Sequence, residues 1–326
     1  MDVCLMASVP DELVVRGVEH TMEGDGELHG PEARRDVAAR LLHAFDGEFT
    51  DLAAELEQFV TTQQPKVARL LYALEDGHVA ILAAMFDLSK RAVILTGGTG
   101  NIGPTVLRAY LEQGAHVAIP VRDERKGAAL RDSLGDLSGA PEDPRVLVRA
   151  ADPGDRVAME GFVEQVLRAW GRLDVVANLI GGYASSDAGS GDLAAYRAYW
   201  DQKVATIVTV TTACLRPMRA RGYGRVVNVA STVALKGEKG AAGYAMANAA
   251  LLRWTDSLAE ETKREGITAN CILPRIIDNP ANRAAMPKAD PSRWATAAEI
   301  AAVVVFLSSD EASGLTGSAI PVTART

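Results

Sequence analysis

The sequence predicts an α/β protein, a doubly wound seven-stranded parallel sheet preceded by a small, mainly helical extension. Three observations carry that expectation. From about residue 86, short apolar runs alternate with helical stretches. The runs are continuously apolar, as strands covered on both faces must be, and parallel neighbours need a helical crossover between them. The first run, Val93-Ile94-Leu95-Thr96, empties into Gly97-Gly98-Thr99-Gly100-Asn101-Ile102-Gly103 and then into a helix-compatible stretch, Val106 to Leu111.

In chain order, residues 1–30 give no firm element. From Pro31 to Phe45, Ala33, Val37, Leu41, Leu42 and Phe45 keep helical spacing. Leu52, Leu56, Phe59 and Val60 repeat it after Thr50, read as an N-cap. Val67, Leu70, Leu71 and Leu74 make a third stripe that ends before Gly77. The expected division is therefore an extension over 1–85 and a main domain over 86–326. Strands are expected at Ala92–Leu95, His116–Pro120, Val146–Arg149, Val175–Leu179, Arg225–Ala230, Thr268–Leu273 and Ala319–Val322. Helices are expected at Val157–Trp170, Leu193–Arg221, Ala241–Glu265 and Ala298–Ser308.

A chain of 326 residues with 48% apolar and 23% charged residues can bury a sizeable core. No apolar run approaches the roughly 18 residues of a membrane span. The acidic start (Asp2, Asp11, Glu12) does not read as a secretory signal. Cys4, Cys214 and Cys271 lack metal-ligand spacing, so reduced thiols in a cytoplasm and no metal site are expected. The net charge of −8 is uneven: residues 1–85 hold 16 acidic and 6 basic residues, while the remainder holds 26 and 28. Neither part has the basic face that nucleic-acid phosphates require. The acidic extension reads as a solvated surface, with a docking role as the sharper alternative.

The glycine-rich turn is the first chemical signal. A strand that runs into backbone without side chains, and then into a helix N-terminus, forms a nest of N–H groups suited to a pyrophosphate. Further along lie Asn178-Leu179-Ile180-Gly181, Val226-Val227-Asn228-Val229-Ala230-Ser231, Tyr244 at a separation of 13 from that serine, and Asn270-Cys271-Ile272-Leu273-Pro274. Together these motifs, over about residues 86–326, resemble the short-chain dehydrogenases/reductases, in their compact branch of roughly 250 residues.

The resemblance implies a Rossmann-type sheet, NAD(P)(H) across the carboxyl ends of its strands, and hydride exchange with a small carbonyl or alcohol substrate. It assigns cofactor contacts to Gly97, Thr99, Gly100, Asn101, Ile102, Gly103, Arg122, Asp152 (at the adenine), Asn178, Gly181, Asn248 and Ile276. It also implies a homodimer or homotetramer through Leu193–Arg221 and Ala241–Glu265. Cofactor choice follows from charge. The position of Val121 usually carries the carboxylate that binds the ribose hydroxyls of NAD; here it is apolar and Arg122 follows, which suits a 2′-phosphate. NADP(H) is preferred and NAD(H) is the alternative, since Arg122 can equally stack on the adenine or face solvent, and Asp123 opposes a phosphate. The turn departs from the compact pattern Thr-Gly-x-x-x-Gly-x-Gly in having Asn101 at its second glycine. Asparagine tolerates left-handed backbone better than most residues.

In the family a tyrosine exchanges the proton at the substrate oxygen, a serine holds that oxygen, and a lysine four residues after the tyrosine binds the nicotinamide ribose and lowers the phenol pKa. Ser231 and Tyr244 match, but the lysine position is Asn248. Lys203 stands where the family's active-site asparagine is expected, so the two residue types are exchanged. One reading brings Lys203 into the pocket as a displaced cation; the other leaves it a surface lysine on a decayed site. Arg275 replaces the glycine after Pro274, and with Lys236, Lys239 and Arg283 it would favour an anionic or polar substrate; the alternative is that these basic residues are simply solvated. The segment from Ile276 to Trp294 reads as a mobile covering loop. Two functions stay open: an NADP(H)-dependent carbonyl reductase, or a weak or inactive nucleotide-binding pseudoenzyme that scaffolds through residues 1–85.

Overall fold

The computed structural model describes residues 86–134, 139–140 and 143–326. The helical stripes and the division expected within and around residues 1–85 lie outside the described residues.

Seven strands form the main sheet: β1 (Ala92–Thr96), β2 (His116–Val121), β3 (Val146–Ala150), β4 (Val175–Asn178), β5 (Gly224–Val229), β6 (Ile267–Pro274) and β7 (Ala319–Val322). All pairings are parallel, in the order β3-β2-β1-β4-β5-β6-β7. The chain winds outward from β1 to β3, then returns to β4 on the other side of β1. That reversal is the topological switch point, where a crevice opens outside the carboxyl ends of the strands. Pro120 is tolerated because pairing with β1 stops at Ala118, before the missing N–H would break a second ladder.

Helices are α1 (Gly103–Glu112), α2 (Glu124–Asp132), α3 (Arg156–Trp170), α4 (Leu193–Tyr199), α5 (Thr206–Arg221), α6 (Ala242–Thr262), α7 (Pro280–Ala285) and α8 (Ala297–Ser308). Alternate residues of β1 feed the two faces of the sheet. Val93 and Leu95 pack with Val106 and Leu107 of α1 and Ile300 and Val304 of α8. Ala92 and Ile94 pack with Phe162 of α3, Val210 of α5 and Leu258 of α6. Burial on both faces explains why these strands read as unbroken apolar runs.

Three expectations needed correction. The helix expected over Leu193–Arg221 is interrupted by a π-helical turn, Trp200–Ala205. Helix α2 was not foreseen; only Gly127 and Leu130 of its nine residues are buried, so it has almost no apolar stripe. The expected loop from Ile276 to Trp294 contains α7, started by Asn279, whose side chain accepts from the Asn282 N–H at 2.9 Å, with Pro280 in the first turn.

At the amino ends of the strands, Asp174 is fully buried. It accepts from Arg172 at 2.6 and 2.7 Å and from the Ala92 N–H at 2.9 Å. This clamp ties β1 to the start of β4 at the end of the sheet opposite the crevice.

Candidate active site

The turn after β1 is shaped by two close approaches. Gly97 adopts φ +71°, and a Cβ there would meet the Leu179 carbonyl carbon at 3.0 Å. A Cβ on Gly103 would lie 2.2 Å from the Gly98 carbonyl oxygen, so only glycine lets α1 start against the turn. Thr99, Gly100 and Asn101 are exposed at its rim, and Ile102 is buried beneath. Asn101 is not among the described residues with positive φ, so the turn accepts it without the left-handed conformation that the sequence argument invoked.

Beyond β2, Arg122 is exposed at the carboxyl edge. Asp123, which sequence reasoning set against a phosphate, is the N-cap of α2, accepting from the Arg125 and Lys126 N–H groups at 3.0 and 3.4 Å. The exposed Asp152 accepts from the Gly154 N–H at 2.9 Å, an Asx turn that fixes its carboxylate at the end of β3.

The side chain of Asn178 is wholly occupied. It accepts from Thr96 Oγ1 at 3.0 Å and donates to Asn228 Oδ1 at 2.9 Å and Thr211 Oγ1 at 3.1 Å. Asn228 in turn donates to Thr255 Oγ1 at 2.9 Å. This buried chain ties β1, β4, β5, α5 and α6 together. Asn178 therefore supports the crevice, and only the backbone after it, through the exposed Gly181, borders the opening.

Ser231 is buried just past β5, and Tyr244 lies half-buried in the first turn of α6. Burial raises the Tyr244 phenol above its ordinary value of 10.0; hydrogen bonds with the Ser231 and Asn248 side chains oppose the rise, and the Tyr199 and Tyr183 phenols add to it. Both of those rings pack edge-on against Tyr244, with centroids 5.3 Å (Tyr183) and 5.9 Å (Tyr199) away. Tyr183 escaped sequence reasoning, as did Ser186, which accepts from the Gly243 N–H at 2.9 Å and pins the loop after β4 to the start of α6. No local pattern marks either residue.

Asn248 is fully buried, and its Nδ2 donates to the Tyr244 carbonyl at 2.8 Å. Reversing the amide would set two acceptors face to face, so its Oδ1 is fixed as an acceptor. That Oδ1 is buried and has no partner. An unpaired buried acceptor is costly, and a sugar hydroxyl is a donor that would satisfy it.

Lys203 is not a surface residue. It lies in the π-helical turn, 5% exposed, with its ammonium donating to the Val229 carbonyl at 2.9 Å and the Ile180 carbonyl at 3.3 Å. Burial pulls its pKa down from 10.5 to about 8, while the nearby Cys271 thiol acts in the opposite sense. The charge thus sits under the backbone at the carboxyl ends of β4 and β5.

The basic residues expected around the substrate are partly spoken for. Arg275 faces Glu238 at 3.9 Å, and Arg283 grips Asp278 at 2.6 and 2.7 Å. Lys236 and Lys239 stay exposed. Ile276 is half-buried, its carbonyl accepting from the Ala295 N–H at 2.9 Å. No cluster of metal-ligating side chains occurs among the described residues, and no described helix is long and apolar enough to cross a membrane.

The cradle at Gly103, the acceptor on Asn248 and the crevice between β1 and β4 fit a dinucleotide with its pyrophosphate at the turn and a ribose near Tyr244. Residues 98–324 match the family described as enoyl-(acyl carrier protein) reductase. The chain is 29% identical over 243 residues to a 3-oxoacyl-[acyl-carrier-protein] reductase of Chlamydia muridarum, covering 72% of this chain and 96% of that protein. It is 30% identical to the (2S)-[(R)-hydroxy(phenyl)methyl]succinyl-CoA dehydrogenase subunit BbsD of Thauera aromatica, with the same coverage of 72% and 96%. Among solved structures, levodione reductase matches with a TM-score of 0.64 at 27% identity, over 72% of this chain and 97% of that one.

Proposed function

The chain belongs to the short-chain dehydrogenase/reductase family of NAD(P)-dependent oxidoreductases, and on that premise we propose that it reduces a small carbonyl compound with NADP(H). The single observation that carries this reading is the Ser231–Tyr244 pair set at the carboxyl ends of the strands beside the unsatisfied acceptor of Asn248. The bound dinucleotide supplies the hydride. Tyr244 gives its phenolic proton to the carbonyl oxygen, which becomes the alcohol oxygen, and Ser231 donates a hydrogen bond that holds that oxygen in place. Asn248 receives a ribose hydroxyl at Oδ1, but brings no charge to the phenol. Lys203, beneath the ends of β4 and β5, is the candidate for the missing cation. It is not among the groups that shift the Tyr244 phenol, which are Ser231, Asn248, Tyr199 and Tyr183, so its effect there is long-range. Arg122, free at the edge of β2 of a carboxylate at position 121, takes the 2′-phosphate, which sets NADP(H) above NAD(H). The reduced, buried Cys214 and Cys271 suit a cytoplasmic protein, and α5 with α6 offers the faces for a homodimer or homotetramer.

A second reading has a specific observation behind it. The phenol is raised by burial, and the lysine that would counter this is replaced by a neutral amide. That arrangement fits a nucleotide-binding scaffold with weak or no turnover. NADPH consumption over a panel of ketones and aldehydes, by the parent protein and by Lys203→Ala, separates the readings. Turnover that falls in Lys203→Ala supports the displaced cation. Equal, nonzero rates remove Lys203 from that role, and tight NADPH binding without turnover on any carbonyl favours the scaffold.

A further inference from the structure

Lys203 is an unusual group to find where it lies. A buried ammonium keeps its charge only if something favours it, and here two backbone carbonyls do so. Among the described residues no carboxylate pairs with it. The titratable neighbour acting on it is Cys271, whose thiol burial pushes up to about 11, leaving it neutral near pH 7. The charge is therefore not cancelled locally.

Its position is equally definite. The two acceptors close the carboxyl ends of neighbouring strands, Val229 ending β5 and Ile180 following β4. A Cβ built on Gly181 would stand 3.0 Å from the ammonium nitrogen. Gly181 itself is exposed, so a single backbone layer separates the charge from the open crevice. With the pyrophosphate on the turn at Gly97–Gly103 and the reacting ring beside Tyr244, the nicotinamide half lies over this end of the crevice. The π-helical turn is what brings Lys203 inward from a helix whose neighbours Asp201 and Gln202 are exposed, and such single π turns recur at functional sites.

A nicotinamide ring is cationic when oxidised and neutral when reduced. We propose that the Lys203 ammonium, held beneath Gly181 by the Ile180 and Val229 carbonyls, makes the crevice discriminate between the redox states of its cofactor, binding the reduced dinucleotide in preference to the oxidised one. This deepens the function proposed above and rests on its placement of the dinucleotide. The adenine, the phosphates and the riboses are the same in both redox states, so their contacts cancel in the ratio of the two dissociation constants. What remains is the repulsion between the ring charge and the nearest fixed cation. At the effective dielectric of a protein interior, two like charges within about 10 Å repel enough to change that ratio by up to about tenfold near pH 7, beyond which the lysine releases its proton instead. The direction favours reduction: product dinucleotide leaves readily and fresh reductant is retained.

The test is binding, not turnover. NADPH is titrated by its nicotinamide fluorescence and NADP+ by calorimetry, with the full-length protein and with Lys203→Met, whose unbranched apolar side chain follows the lysine stem without its charge. At pH 7 the wild type is expected to bind NADPH up to about tenfold tighter than NADP+, and in Lys203→Met the ratio falls toward one, mainly through tighter NADP+ binding. Lys203→Arg, which keeps the charge, retains the preference for NADPH and stands in as the test should Lys203→Met not fold, since an arginine variant without that preference overturns the inference. Equal affinities in the wild type, or an unchanged ratio in Lys203→Met, overturn it while leaving the dinucleotide site intact. Binding of neither form overturns the site assignment itself, and this inference with it.

Discussion

Replacing Gly103 by alanine tests whether the turn after β1 is the pyrophosphate cradle. The added Cβ would lie 2.2 Å from the Gly98 oxygen, 2.4 Å from the Gly98 carbonyl carbon and 2.6 Å from the Gly97 oxygen, where ordinary contact begins at 3.4 Å. All three are backbone atoms of the turn, so no side chain can swing aside. The turn must open by about 1 Å, and a misplacement of that size in a positioning element costs about a hundredfold. Relieving the overlap also weakens the hydrogen bond from the Gly103 N–H to the Gly100 carbonyl, now 3.2 Å. Overpacking of this kind lowers stability by about 1–3 kcal/mol. Gly100→Ala is the matched control, because its Cβ meets only the Gly97 oxygen at 3.1 Å and the position is exposed. The assay is NADPH affinity by fluorescence titration, with thermal melting beside it. Gly103→Ala is expected to lose affinity by about a hundredfold, Gly100→Ala by a few-fold at most. A folded Gly103→Ala protein that binds NADPH like the parent would refute the assignment of this turn to the phosphates.

Two further outcomes follow from the charges around Tyr244. Asn248→Lys places an ammonium one helical turn from the phenol, about 5 Å away. At an effective dielectric near 20 this is worth about 3 kcal/mol, or about a hundredfold in phenolate population. The pH midpoint of alcohol oxidation is therefore expected to fall by about two units; an unchanged midpoint would show that the phenol does not control the step. Lys203 also has a stability signature. Its folded pKa of about 8 lies below the ordinary 10.5, so between those values the unfolded chain holds a proton that the folded chain has released. Stability contributed at this site therefore rises with pH across that window. Measured as the difference between wild type and Lys203→Met, which removes the opposing effects of Cys214 and Cys271, the unfolding free energy of the wild type should gain on the variant from pH 8 to 10.5. A flat difference would mean that the ammonium is not buried.

The sheet was legible because burial on both faces writes a strand as an unbroken apolar run. β7 lies where those runs placed it, and the other strands shift by a residue or two. Helix α2 was hidden, since the face it buries is made by Gly127 and Leu130 alone. Its one local sign was Asp123 before a polar stretch, which served as a cap and not as a partner for the cofactor. α7 announced itself by Asn279-Pro280, a cap and first-turn pair hidden in a stretch that composition alone reads as loop. The exchange of lysine and asparagine between positions 203 and 248 was visible as letters, but the depth of Lys203 was not. Burial of a lysine is decided by the π-helical turn and by two carbonyls on strands far away in sequence. The occupation of Asn178 by Thr96, Thr211 and Asn228 is likewise a tertiary fact. Arg275 and Arg283, grouped by sequence as a cationic patch, each face an acidic residue in space.

The most direct test is single-turnover reduction of a carbonyl substrate by the protein mixed with stoichiometric NADPH, compared with Tyr244→Phe. The account predicts that both proteins bind NADPH alike, while only the one carrying the phenol transfers hydride at a measurable rate. Equal rates in the two would contradict it, since the proton would then come from a group other than Tyr244.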